Sequence, residues 1–318
     1  MCSIDPGRPI QVMGILNLTP DSFYEPSRYN LPIMDSGADI IDIGACSTRP
    51  GSIPVGEEEE WRRLEPVIWD IARHHSSLRI SVDTFRPGIV QRVHRYLPSF
   101  IVNDVSGAAD PGMLPLVSRL RLPYIAMHGW AKHIAPLGFP PEAQSSGQGR
   151  LARRENSPEP MAGCPETPEE ASYSGQSLSR ASLSRRGNLS ASEAQDYARS
   201  EPESIIQEVF SYFESFAERL RAEGIQDWYL DPGFGFGKSV DENLRLLQDL
   251  HTLKRFGRPI LVGISRKRMT REPYGLTPGQ ALEQTSRLHL TALRGGADIL
   301  RVHDVEDARK VIEQYRDV

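Results

Sequence analysis

This chain of 318 residues predicts an α/β fold, a (β/α)₈ barrel with a long disordered insertion after strand five and a shortened first helix. Three observations carry that expectation. Eight β-branched, apolar runs of strand length recur along the chain, most of them spaced widely enough for a helix between. Their apolarity is nearly continuous rather than alternating, as strands covered on both faces require. The length also accommodates a barrel of about 250 residues with additions.

In order, the runs are IQVMGILN at 10–17, ADIIDIG at 38–44, RISVDT at 79–84, FIVNDVS at 100–106, LPYIAMH at 122–128, WYLDPG at 228–233, PILVGIS at 259–265 and ADILRVHD at 297–304. Between the first two, only NLPIMDSG separates Tyr29 from Ala38. A parallel crossover takes a dozen or more residues with a helix. The first helix is therefore expected to shrink to about a turn, or the loop after the first strand is drawn down into the crossover.

After the second strand, Trp61, Leu64, Val67, Ile68 and Ile71 recur at helical spacing behind the four glutamates at 57–60, whose charges favour a helix N-terminus. Ile205, Val209, Phe213, Phe216 and Leu220 form a second stripe, closed by Gly224. Residues 241–250 and 281–293 read as helices too. All these stripes are expected to pack on the barrel. His74, His75 and His94 fall in helices or at their ends and read as surface residues.

The segment 131–200 is rich in Ser, Pro, Glu, Gln and Arg, with few large apolar residues. Such a composition cannot offset the entropy of ordering. It is predicted to be a mostly disordered, passive insertion, interrupting a single domain that spans 1–318.

A formal net charge of −5 speaks against gripping nucleic acid or an anionic membrane, so the expected partners are small molecules. Cys2, Cys46 and Cys164 form no C-x-x-C pair, which argues against a zinc knuckle or a disulfide framework. The opening MCSIDPGRPI lacks a secretory apolar segment, and no run approaches a membrane span. A soluble, cytoplasmic protein is expected.

The polar residues that end the eight runs are Asn17, Asp42, Asp83, Asn103, His128, Asp231, Ser265 with Arg266 and Lys267, and Arg301 with His303. A barrel gathers such C-terminal strand ends on one face, where these folds keep their chemistry. Two chemistries are present. Arg49 in STRPG, Arg301, His303 and Asn17 suit a phosphate-bearing group. Asp83, Asn103, Asp231 and Lys267 offer the acceptors and donors that read a flat, amide-rich heterocycle. DPGFGFGKS at 231–239 is not a phosphate-binding P-loop, because Pro232 stands where that motif needs glycine. It reads as a tight turn that lets backbone and Phe236 approach a ligand. Cys46, beside STRPG, reads as a small buried filler.

MGILNLTPDSF, GADIIDIGACSTRPG, ISVDT, NDVSG, LDPGFGFGK, GISRK and RVHDV, in this order, resemble the signatures of the dihydropteroate synthases of folate biosynthesis. The resemblance covers nearly all of the chain outside 130–200. It implies a TIM barrel that condenses 6-hydroxymethyl-7,8-dihydropterin diphosphate with 4-aminobenzoate. Carried over by motif, Asp83, Asn103, Asp231 and Lys267 hold the pterin, with Phe236 beside it. Arg49, Arg301 and His303 hold the diphosphate with Mg²⁺, for which Asn17 is the protein ligand. Thr48, Pro50 and Lys267 border the 4-aminobenzoate site. Asp83, Asp231, Lys267 and Arg301 are the implied catalytic set, and a homodimer through the outer helices is implied as well.

Two other readings stay open on the sequence. One is a pterin binder without catalysis, which the short first crossover permits. The other is a folate-dependent methyltransferase of the same superfamily, against which the Arg-x-His pair and SRK argue. Arg268, where the family commonly has a small hydroxyl residue, either alters the acceptor preference or points to solvent.

Overall fold

Parallel pairing runs through all eight strands, in the order β6-β5-β4-β3-β2-β1-β8-β7. The computed structural model describes residues 9–19, 33–47, 54–129 and 204–317. The strands are β1 (Gln11–Asn17), β2 (Ile40–Gly44), β3 (Ile80–Asp83), β4 (Ile101–Asp104), β5 (Tyr124–Met127), β6 (Trp228–Asp231), β7 (Leu261–Val262) and β8 (Ile299–Val302). Each falls inside one of the eight apolar runs. A parallel bridge between Leu230 and Ile260 joins β6 to β7 and closes the barrel.

The helices follow the periodicity of the sequence. They are α1 (Glu57–His74), α2 (Pro87–His94), α3 (Met113–Leu120), α4 (Ile205–Ala222), α5 (Val240–Gln248), α6 (Leu282–Arg294) and α7 (Val305–Arg316). Helix α5 begins with a reciprocal cap in which Glu242 N–H donates to Ser239 Oγ at 3.2 Å and Ser239 N–H donates to Glu242 Oε2 at 2.6 Å. Helix α4 buries Ile205, Val209, Phe213, Phe216 and Leu220, the stripe read from the sequence. No described helix is long and apolar enough to cross a membrane.

Alternation along the strands divides the barrel interior into layers. Met13, Ile40, Ile101, Ile125, Tyr229, Leu261 and Ile299 form one apolar cluster, a single residue from each of seven strands. Arg79 lies toward the N-terminal ends, donating to Gln11 Oε1 at 3.2 Å and to the Tyr229 hydroxyl. The larger core, between strands and helices, holds the apolar faces of α1 to α7.

The described part of the first crossover, residues 33–37, is one turn, in which Ser36 Oγ donates to Ile33 O at 2.6 Å. Met34 is buried in the core there. Helix α7 reaches over to it: Arg309 Nε donates to Gly37 O at 3.2 Å and its guanidinium pairs with Asp39 at 2.9 Å. A Cβ on Gly14 of β1 would stand 3.1 Å from Val305 of α7. The last helix thus packs on strand β1. The rest of the crossover and the insertion at 131–200 lie outside the described residues.

Candidate active site at the barrel mouth

Two residues beyond the apolar layer, on the same inward-facing side, stand Asp42, Asn103, Asp231 and Arg301. Chords across the lumen join three of them. Arg301 Nε on β8 donates to Asp42 Oδ2 on β2 at 2.6 Å, and its Nη2 donates to Asp83 Oδ2 on β3 at 2.9 Å. Asn103 Nδ2 on β4 donates to the same Asp42 oxygen at 3.1 Å. Asp42 is wholly buried, at 0 % exposure.

The neighbouring Asp104 points the other way. Its carboxylate accepts from Ser106 N–H at 2.8 Å, Ala108 N–H at 3.0 Å and the Tyr124 hydroxyl at 2.8 Å. One step along the strand separates a residue of the mouth from one that shapes the turn behind it.

On the opposite side, the turn after β6 is built from backbone. Gly233, Gly235 and Gly237 have φ of 67°, 81° and 72°, a region that side chains disfavour. A Cβ on Gly233 would come within 1.8 Å of His128 O. The buried Lys238 ammonium donates to His128 O at 3.2 Å, Gly233 O at 2.8 Å and Phe236 O at 3.3 Å. Asn243 accepts from Gly235 N–H at 2.7 Å and donates to Ser239 O at 2.6 Å. Asp231 Oδ1 accepts from Gly233 N–H at 2.8 Å.

Lys267 approaches this turn from β7. Its ammonium donates to Phe234 O and sits 4.7 Å from the centroid of the Phe236 ring. Arg266 just before it has a φ of 58° and pairs with Asp304 at 2.6 Å. Ser265 Oγ lies 3.1 Å from His303 Nδ1, which ties the ends of β7 and β8 together.

Burial pushes the Asp83 carboxyl up to about 7; Arg301 opposes the rise, while Asp42, Glu60 and Asp104 add to it. Burial likewise raises Asp231, against the pull of Lys267 and the Gly233 N–H. Burial lowers Lys267 to about 8, with Asp231 working the other way. Lys238 is lowered by burial to about 7. Although burial disfavours its charge, Arg301 is held above the ordinary arginine range by Asp42 and Asp83.

The structure therefore brings Asp83, Asn103, Asp231, Phe236, Lys267, Arg301 and His303 to one mouth, with Asn17 half-buried at the end of β1. Thr48, Arg49 and Pro50 lie outside the described residues. Cys46 is buried in a cluster with Phe85, Val105 and Met127. Arg268 turns outward, its side chain 72 % exposed and paired with Glu272 at 2.7 Å.

Two further residues matter, and the sequence carried only partial signals for them. Asp42 ends a strand run but had no assigned role; its position two residues after the inward-facing Ile40 was the available clue. Lys238 sits in GFGFGK, where the glycine spacing signals a turn but nothing local names the carbonyls that the lysine holds.

Among the described residues there is no group of three or more His, Cys, Asp or Glu side chains arranged to hold a metal ion. The mouth offers carboxylates, an amide and an ammonium near Arg301 and His303.

The profile of the pterin binding enzymes matches residues 13–137 and 183–303. A dihydropteroate synthase of Escherichia coli is 31% identical over 98% of this chain and 93% of its own. A solved structure of the Xanthomonas albilineans dihydropteroate synthase with 4-aminobenzoic acid is 30% identical with a TM-score of 0.71, covering 98% of this chain and 93% of that one. The Thermus thermophilus dihydropteroate synthase in complex with 6HMPPP is 28% identical with a TM-score of 0.67, covering 98% and 94%.

Proposed function

The chain belongs to the pterin binding enzymes, among the dihydropteroate synthases, and from that premise we propose how its own residues carry the reaction. The reaction joins 6-hydroxymethyl-7,8-dihydropterin diphosphate to 4-aminobenzoate, giving 7,8-dihydropteroate and diphosphate. It is a transfer step of folate biosynthesis.

Asp83, Asn103, Asp231 and Lys267 hold the pterin ring, with Phe236 against it. Arg301 and His303, joined by Arg49, hold the diphosphate, and Thr48 and Pro50 with Lys267 border the 4-aminobenzoate. The observation that supports this reading is the polar layer one step above the apolar one, where donors and acceptors for a heterocycle adjoin Arg301.

As the C–O bond to the pterin methylene breaks, negative charge grows on the departing diphosphate, which Arg301 and His303 stabilise. Positive charge grows at the methylene, and the Asp83 and Asp231 carboxylates stabilise it. The 4-aminobenzoate nitrogen then forms the C–N bond and loses a proton. The carbon is already electron-poor, so no nucleophilic serine or cysteine is called for.

Magnesium fits the donor set. A hard ion of this kind takes oxygen ligands, most of them from water and substrate phosphates, with one or two from protein. The Asn17 amide oxygen would hold it, and it would neutralise charge on the diphosphate. A single barrel domain, a homodimer through the outer helices and a cytoplasmic location complete the proposal; light scattering of the purified chain tests the dimer.

The test is diphosphate release from the pterin diphosphate with magnesium, with and without 4-aminobenzoate, in the chain and in Lys267→Ala and Asp83→Asn. Release that needs the amine and drops in both variants supports the assignment. Tight pterin binding without release would favour a binder instead.

A further inference from the structure

We propose that Asp42 is a positioning residue of this reaction, acting through Arg301. The proposal rests on the site reading above. Arg301 has two carboxylate partners, and they differ in kind. Asp42 is fully buried and its Oδ2 lies 2.6 Å from both Nε and Nη2, while Asp83 Oδ2 lies 2.9 Å from Nη2. A guanidinium is planar and rigid, so contacts of Nε and Nη2 with carboxylates on two different strands fix both its position and its plane. Bound by Asp83 alone, it would be free to pivot about one contact.

Asp42 has a second effect at the same place. With Arg301 between them, Asp42 and Asp83 form a buried triad of two anions and one cation. Asp42 draws on the guanidinium charge that would otherwise neutralise Asp83, which leaves the Asp83 carboxylate oxygen a stronger acceptor toward substrate. The charged groups around Asp83 are Arg301, Asp42, Glu60 and Asp104 and, across the mouth, Lys267. Of these, Asp42 alone shares Arg301 with it through a direct bond.

Asp42→Asn isolates this role, since its amide oxygen can still accept from Asn103 while the charge is gone. In steady-state assays of the full chain, kcat/KM for the pterin diphosphate should fall by about 10- to 100-fold, as for a displaced transition-state donor. KM for 4-aminobenzoate should hold within about twofold, because Asp42 touches no group assigned to that substrate. The acid limb of the pH–rate profile should move down by about half a unit or more, because one negative charge beside Asp83 has been removed.

The same substitution is then made on Arg301→Gln. Equal rates for Arg301→Gln and Asp42→Asn/Arg301→Gln support action through Arg301, and this comparison stands even if the single Asp42→Asn variant fails to fold, since both chains compared lack the guanidinium. An unshifted acid limb and unchanged kcat/KM in Asp42→Asn would overturn the proposal. So would an equal further loss on the Arg301→Gln background. If Arg301→Gln is itself fully active, the site reading fails first and the Asp42 role goes with it.

Discussion

On the β2–β3–β4–β8 side of the mouth, functional side chains bond to one another, whereas on the β6–β7 side they bond to backbone. Asp42, Asp83, Asn103 and Arg301 stand on strands and exchange charge-assisted bonds. Lys238 and Lys267 instead donate to carbonyls of a turn that exists because three glycines accept positive φ. The difference teaches where each side is vulnerable. The strand side keeps its shape from the sheet, so protonation and charge govern it. The loop side keeps its charge pattern only while the backbone holds its path.

The sharpest way to break the loop side leaves every charge in place. Gly233→Ala puts a methyl 1.8 Å from His128 O at a φ of 67°, so the turn must open. Pterin affinity measured by calorimetry should fall by about 100-fold or more, as sites displaced by an ångström do. An affinity within twofold of the parent would show that the turn tolerates redesign.

Lys238→Met removes the internal donor and keeps the bulk. Three buried carbonyls lose a partner, so denaturant unfolding should record a loss of at least about 2 kcal/mol. Turnover should drop about tenfold as Asp231 and Phe236 lose their setting, a smaller penalty than that of a transition-state donor. Unchanged stability would mean that the glycines alone hold the turn.

Acidity tests one group from each side. Asp83 must be a carboxylate, which it becomes above about 7, and Lys267 must be an ammonium, which it is below about 8. The rate profile should be a narrow bell between these values, falling toward tenfold per unit outside them. Stability follows the opposite logic. The folded chain holds the Asp83 proton more tightly than the unfolded chain, so this group's contribution falls as pH rises from 3.8 to about 7. Lys267 releases its proton more readily when folded, so its contribution rises between about 8 and 10.5. A broad plateau from pH 5 to 9 would remove both assignments.

The smallest effect belongs to a residue that joins neither side. Arg268 is exposed and paired with Glu272, so Arg268→Ser should change KM for 4-aminobenzoate by no more than about twofold, as for a surface ion pair. A larger change would bring its side chain into the acceptor site.

Much of the fold was legible because its signals are local. Apolar runs of strand length located the strands, the stripes at 61–71 and 205–220 located α1 and α4, and the glycine spacing of GFGFG marked the turn. Asp83, Asn103, Asp231 and Arg301 could be read as mouth residues because each lies at or one residue before the end of a strand, and a barrel sends all such ends to one face. The role of Asp42 could not be read this way. Its identity was plain, but its partner Arg301 lies 259 positions away. The acceptors of Lys238 could not be read for the same reason, since one of them, His128 O, lies just after β5, 110 positions earlier.

The sequence by itself determined which residues face inward and which end each strand, because side-chain alternation and turn chemistry act over a few residues. Closure decided the rest. The curvature of the sheet brings Arg301 of β8 past β1 to the carboxylates of β2 and β3, and the meeting of β6 with β7 sets which lysine lies against the glycine turn. Pairing across a barrel depends on strand number and register together, quantities that no stretch of the chain carries alone.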